Sequence, residues 1–420
     1  MKFLIIVFVL LSHLSYSQII PSFQGVHSHK TTSESMSNTA LDFDNQDYFT
    51  TNGNAISNTW TVEVWYKKAS NGSARNFTNR TNGNSGGTWG LRLGTYNNVQ
   101  KVGIVKYNDK DYYIDNASAN LGIDEWEHIA WTYQTNTLTI YVNGVSLGNT
   151  YKAHNKGSST YSSLAATPLY WNYIGKSRNS NSITGMIDEL RIWNDVRTEE
   201  EINNKMFSDL EGDEEGLVAY YNMSDGSGST VSNNSQNTID GISPSTYNGT
   251  MVGMDNSDWV TSYVPIGNLS SSYSTDIEAI WKKTSTNSSE ASSGISIEVD
   301  VALSEENFAV FGNNNTSSTS TSGLPSGTAV RSARIWQVDK YGTVSADINF
   351  NLSEVIGANP SSVGGSSNYK LLYRVGTSGG FLVEATASAV TSVGDNIVTF
   401  SGVTLKDGYY AIAATQSGNL

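Results

Sequence analysis

Apolar and polar residues alternate along most of this chain. In TWTVEVWYKK, Trp60, Val62, Val64 and Tyr66 fall on one side and Thr61, Glu63, Trp65 and Lys67 on the other. A period of two in β-branched and aromatic residues predicts a strand with one buried face. ALDFDNQDYFT repeats the pattern, with Leu41, Phe43 and Phe49 as inward groups. TWGLRLG, VQKVGIVKY, KDYYID, WEHIAWTYQ and TLTIYVNGVSLG follow as further strands, separated by Asn-, Gly- and Ser-rich loops. The short Gln134-Thr135-Asn136 link predicts a hairpin, and Asn143-Gly144 predicts a tight turn because both residues tolerate positive φ.

A strand around 169–174 leads into GMIDELRIWNDVRTEEEI, residues 185–202. Strict alternation puts Met186, Asp188, Leu190 and Ile192 on one face and Ile187, Glu189, Arg191 and Trp193 on the other. Thr198 and Glu201 then form a T-x-x-E capping box, which opens a short helix towards Met206. One more strand, GLVAYYN, precedes a close near Trp259–Pro265. This all-β content with frequent turn signals predicts an antiparallel sandwich.

Ile266–Asp276 is Ser-rich and is expected to be a linker. Strands then resume as IEAIWKK, GISIEVDVAL, NFAVFG, AVRSARIWQVD, VSADINFNL, YKLLYRVG, GFLVEATA, NIVTFSGV and GYYAIAAT. They predict a second β-sandwich.

At the start of the chain, Lys2, the apolar run Phe3–Leu11 and Ser15-Tyr16-Ser17 read as a secretory signal with cleavage before Gln18. The apolar run is too short to cross a bilayer, so no membrane insertion is expected. The expected division is a signal over 1–17, a disordered segment over 18–37, a first sandwich over 38–265, a linker over 266–276 and a second sandwich over 277–420. His27 and His29 fall in the disordered segment and read as part of an exposed tail.

The 420 residues contain no cysteine, which excludes disulfides, thiolate metal sites and a lipid-modified N-terminal cysteine. Export without disulfides suits a bacterial secreted protein. The formal charge is −14, and no basic stripe is present, so nucleic acid is not an expected partner.

The ordered set ALDFDNQDYFT, TWTVEVWYKK, WEHIAWTYQTNTLTIYVNGVSLG, YIGKS and GMIDELRIWNDVRTEEEI resembles a laminin G-like or concanavalin A-like jellyroll domain, over roughly residues 38–262. The second half, from ARIWQVDKYGTVSADINFNL to GYYAIAAT, resembles poorly characterised C-terminal β domains of secreted Bacteroidetes proteins. The implied fold is all-β: an N-terminal concanavalin A-like jellyroll sandwich with one short helix, plus a second C-terminal β-sandwich. The first family includes glycan binders, adhesive modules and accessory domains of glycosidases. The chain shows no basic tail of the kind that a type IX sorting domain carries, so attachment by that route is not expected.

Glycoside hydrolysis needs two carboxylates across one bond, about 5 Å apart for retention. Asp188 and Glu189 are adjacent in a strand, so alternation should send them to opposite faces. The Glu211–Glu215 acids fall in a loop. No H-E-x-x-H, G-x-S-x-G or P-loop occurs, so no catalytic set is identified.

The resemblance implies a structural calcium at the rim, with Asp44, Asp47 and Asp188 as the matching carboxylates. Their plain alternative is turn capping and backbone hydrogen bonding. For glycans the candidate aromatic platforms are Trp65, Trp131 and Trp193 on strands and Trp89 by a loop. Core packing is the alternative for each, and Glu63 with Arg191 suggests a cross-strand ion pair. The expected function is carbohydrate binding or adhesion outside the cell, on a glycan or cell-surface polysaccharide. A polysaccharide-degrading enzyme and a ligand-free module of a surface assembly with a protein partner are the alternatives.

Overall fold

The computed structural model describes residues 39–420, apart from 45, 54, 57, 71–74, 80–88, 97–98, 107–110, 116–119, 154–158, 165–167, 177–181, 283–292, 300 and 392–395. The expected signal and the 18–37 segment lie outside the described residues.

Strand alternation builds the first sandwich. Its main sheet orders the strands Val145–Ser146, Thr137–Val142, Trp126–Gln134, Thr59–Lys68, Gly185–Trp193, Thr39–Phe43 and Trp259–Thr261, with Leu217–Tyr221 also on Gly185–Trp193. Every pairing is antiparallel. The hairpin turns form where the dipeptides require them: Thr135 and Asn136 have φ of 47° and 67°, Asn143 and Gly144 of 50° and 76°. Trp60, Val62, Val64 and Tyr66 point into the core. They meet Phe49, Leu91, Val102, Ile104 and Ile174 from a six-stranded and a five-stranded sheet opposite, and Phe77 from the bend that joins those sheets. Each such fully buried aliphatic contributes about 1.5–3 kcal/mol of transfer free energy.

The second sandwich stacks an eight-stranded sheet, centred on Trp336–Tyr341 and Gly408–Ala414, on the four-stranded sheet Ile295–Glu298, Ser345–Asn351, Ile397–Thr404 and Ala389–Thr391. Phe311, Trp336, Phe350, Tyr369, Phe400 and Ile412 fill its core. The chain is thus all-β in both halves, with a capped helix, Glu199–Lys205, on the first sandwich and a five-residue helix, Leu352–Ile356, in the second.

Residues 266–276, expected as a linker, are held against both sandwiches. Gly267 bridges to Ser208. The Asn268 amide donates to Asp339 at 2.6 Å, the Ser270 amide donates to Gln337 at 2.9 Å, and Ile266 and Tyr273 are buried. Serine content predicts solvation, but here backbone pairing and two apolar anchors outweigh it.

The docking also covers the outer face of the main sheet. The helix and the segment after it lie over that face, and the second sandwich continues the cover. Trp65 meets Phe207 and Trp281 at ring-centroid distances of 6.0 and 5.9 Å. Lys67 pairs with Asp124 at 2.7 Å and Glu305 at 2.5 Å, and the Trp281 indole N–H donates to the Trp126 carbonyl at 3.4 Å. Asn38–Leu420 forms one compact unit.

Candidate functional site

The cover turns the outer face of the main sheet into a buried polar layer. The strand Gly185–Trp193 carries a β-bulge between Asp188 and Arg191: Asp188 pairs with Trp65 and Arg191 with Glu63, leaving two residues opposite Val64. Glu189 has φ of +53°, the left-handed conformation that a bulge with an extra residue admits. The bulge resets the alternation. Asp188 shares the side of Trp65, the same side as Arg191 and Glu63, instead of joining Leu190 and Ile192 in the core. The expected separation of Asp188 from Glu189 is therefore corrected, because alternation cannot register an inserted residue.

Both carboxylates are engaged within the fold. Asp188 is fully buried and accepts the Ser262 hydroxyl at 2.6 Å and the Glu189 amide at 2.8 Å. Glu189 accepts Arg191 Nη2 at 2.6 Å and the Tyr220 hydroxyl at 2.8 Å on each oxygen. Arg191 also donates to the Lys205 and Ser208 carbonyls at 2.8 and 2.7 Å, which ties the end of the capped helix to the sheet. Burial raises the Glu189 carboxyl to about 7 despite Arg191. Burial and the neighbouring Glu189 raise Asp188 well above the usual carboxylate range. Glu63, cross-strand from Arg191, accepts instead from the Trp193 indole at 2.8 Å and lies 3.3 Å from His128 Nε2. Burial holds His128 below the ordinary histidine value.

Three of the four expected platforms are structural. Trp65, Trp131 and Trp193 are 0%, 0% and 1% exposed, so no sugar ring can reach them. Trp65 donates to the Met206 carbonyl at 2.9 Å, and Trp131 stacks on Phe77 and donates to the Gly103 carbonyl at 3.1 Å. Trp89 opens the strand Trp89–Tyr96, and its side chain lies outside the described residues.

The three expected calcium ligands do not converge. Asp188 spends both oxygens on Ser262 and the Glu189 amide, away from the turn. Asp44 and Asp47 hold that turn themselves: Asp47 accepts the Asp44 amide at 2.9 Å, and Asp44 accepts the Gln46 amide at 3.2 Å. Burial raises Asp47 to about 6. Among the described residues no group of three or more acidic or histidine side chains is arranged to hold a metal ion. The set does not supply the six to eight oxygens that calcium takes.

Among the described residues, two open features bear on ligand binding. The first is a cleft of about 1100 Å³ between the capped helix, the Asn143–Val145 turn and the start of the second sandwich. Val145 and Leu269 are its open apolar residues, over a buried floor of Phe207, Ile277 and Trp281; Asn143, Asn203, Asn204, Lys205 and Ser271 are amide, amine and hydroxyl donors; and Glu199, Asp209, Glu211 and Asp276 are carboxylate acceptors. Two sandwiches that sequence reasoning kept apart create it. The second is a pair of half-buried tyrosines, Tyr48 and Tyr173, with ring centroids 5.7 Å apart on the outer face of the five-stranded sheet. Alternation around Phe49 and Ile174 sends both outward, but nothing local to either joins residues so distant in the chain.

Residues 43–203 match the Concanavalin A-like lectin/glucanases superfamily, and residues 270–409 match a domain of unknown function. Among solved structures, the chain is similar to a candidate carbohydrate-binding protein from Bacteroides ovatus, at 20% identity and TM-score 0.36, over 51% of this chain and 58% of that one. It is also similar to the SAP-like pentraxin of Limulus polyphemus, at 12% identity and TM-score 0.29, over 40% and 80%. A third is the carbohydrate-binding module of a Ruminococcus gnavus sialidase bound to sialyllactose, at 14% identity and TM-score 0.26, over 39% and 93%. This chain spans less than two thirds of the first of these. At such TM-scores none bears on what the chain binds. No curated protein sequence matches it.

Proposed function

We propose that this is an exported carbohydrate-binding protein that holds a neutral glycan segment in the cleft between its two sandwiches. The cleft carries the reading. Its volume of about 1100 Å³ takes several sugar units, and amides, hydroxyls and carboxylates line it beside the apolar Val145 and Leu269 side chains. Sugar hydroxyls both donate and accept hydrogen bonds, and the C–H faces of a pyranose rest on apolar or aromatic surface. A concave site with an apolar wall and a few convergent polar groups serves both needs. Export rests on the Lys2 to Ser17 signal pattern, and sequencing the N-terminus of protein recovered from culture medium tests it, with Gln18 as the expected first residue.

A neutral-glycan array tests the binding. Asn204→Trp projects an indole into the cleft from the last turn of the helix and leaves both cores intact. The expected result is binding to at least one neutral polysaccharide by the native chain and its loss in Asn204→Trp at unchanged melting temperature. Equal binding by both proteins would remove the cleft from the account.

A further inference from the structure

Tyr48 and Tyr173 do not stand alone. The strand Tyr48–Thr50 pairs with Tyr173–Ile174 and with Gly249–Val252. Phe49, Ile174 and Met251 face the core, so Tyr48, Thr50, Tyr173, Thr250 and Val252 share the outer face. Lys176 extends onto this face. Its Nζ lies 3.8 Å from the centroid of the Tyr48 ring and 5.5 Å from that of Tyr173. Among the described residues no carboxylate pairs with Lys176, and neither tyrosine hydroxyl has a hydrogen-bond partner. In a chain with 39 acidic and 25 basic side chains, a lysine held by rings alone departs from the general pattern.

An ammonium has three donors. A ring face satisfies one direction of approach and is worth about 0.5–1 kcal/mol at an exposed site. That leaves Lys176 with donor capacity beside the Tyr173 ring. A pyranose stacked on Tyr173 would present a substituent to that ammonium. The substituent that gains most is a carboxylate, because a charge-assisted hydrogen bond is about twice as strong as a neutral one. Thr50 and Thr250 on the same face carry hydroxyls and no negative charge.

We infer that Tyr48, Tyr173 and Lys176 form a second saccharide site, distinct from the interdomain cleft, that takes a sugar carboxylate. Uronic acids and sialic acids share this chemistry. The site selects the charged sugar by a cation already in place, at low ordering cost.

Isothermal titration of the full chain with an oligogalacturonate and with sialyllactose tests the inference. Methyl-esterified oligogalacturonate and lactose are the uncharged counterparts. Lys176→Met keeps the alkyl stem and removes the charge; Tyr173→Phe keeps the ring and Tyr173→Ala removes it. Thermal melting confirms that each variant is folded. The expected result is binding to at least one acidic saccharide at least tenfold tighter than to its uncharged counterpart. That preference disappears in Lys176→Met, affinity falls at least tenfold in Tyr173→Ala, and Tyr173→Phe binds as the native chain does. Which acid binds distinguishes uronate from sialate. Asn204→Trp retains the acidic-sugar binding, so failure of the cleft and failure of this site are separable. Equal affinity for the charged and uncharged forms, binding of neither, or undiminished binding by Lys176→Met would overturn it.

Discussion

Glu189→Gln isolates a pH dependence that the bulge builds into this fold. Glu189 is buried with Arg191, Tyr220 and Asp188 around it, and its carboxyl sits at about 7 against an ordinary 4.5. The folded chain thus binds this proton more tightly than the unfolded chain does. A raised acid contributes stability that is complete below pH 4.5 and is lost as pH climbs through 7. The interval of between two and three units corresponds to about 3 kcal/mol at roughly 1.4 kcal/mol per unit. Glutamine is a neutral isostere of the protonated acid. Its amide group replaces one acceptor facing Tyr220 or Arg191, which adds a pH-independent cost of about 1 kcal/mol. Urea unfolding at intervals from pH 4.5 to 8 measures the difference between the two proteins. The native chain should lose stability relative to Glu189→Gln by about 3 kcal/mol across that range, so that the variant becomes the more stable protein near pH 8. Parallel curves would mean that Arg191 holds Glu189 ionised throughout, and the account of this buried layer would fail.

Other perturbations follow the same geometry. Trp131→Ala removes a fully buried indole stacked on Phe77 and should cost about 3–5 kcal/mol in urea unfolding, with no selective effect on saccharide affinity in the folded fraction. Thr198→Ala removes the capping-box hydroxyl, which accepts the Glu201 amide at 3.2 Å, and should cost about 1 kcal/mol in the same assay. Trp281→Ala removes the ring that joins the second sandwich to Trp65 and Phe207, and limited proteolysis should then cut within 266–282 faster than in the native chain. Asp188→Asn should leave any calcium-induced shift in melting temperature unchanged, because Asp188 faces Ser262 and not the Asp44–Asp47 turn.

Much of the architecture was legible from residue order. The Trp60, Val62, Val64 and Tyr66 face is the core face, the Asn143-Gly144 turn forms, and Thr198 with Glu201 caps the helix. Alternation reports which side of a strand a residue takes, but not what covers that side. Alternation puts Trp65 opposite the Trp60, Val62, Val64 and Tyr66 face, yet Trp65 lies buried because the helix and the second sandwich pack over it. The bulge at Glu189 was invisible for a different reason: it depends on a positive φ at a glutamate, stabilised by Arg191 and Tyr220, and no residue type signals it. The cleft and the Tyr48–Tyr173 face depend on long-range assembly, so their residues carried no local mark. The Ser262 hydroxyl and the Glu189 amide that occupy Asp188 are contacts that residue types alone do not contain.

The central claim is that the interdomain cleft binds sugar, and the direct measurement is a crystal structure, or saturation-transfer NMR with isotope-edited contacts, of the full chain with the best neutral ligand from the array. The expected result is the sugar in the cleft beside Val145 and Leu269, with hydrogen bonds to Asn203 and Asp209. A neutral sugar bound elsewhere, with the cleft holding only water, would contradict it.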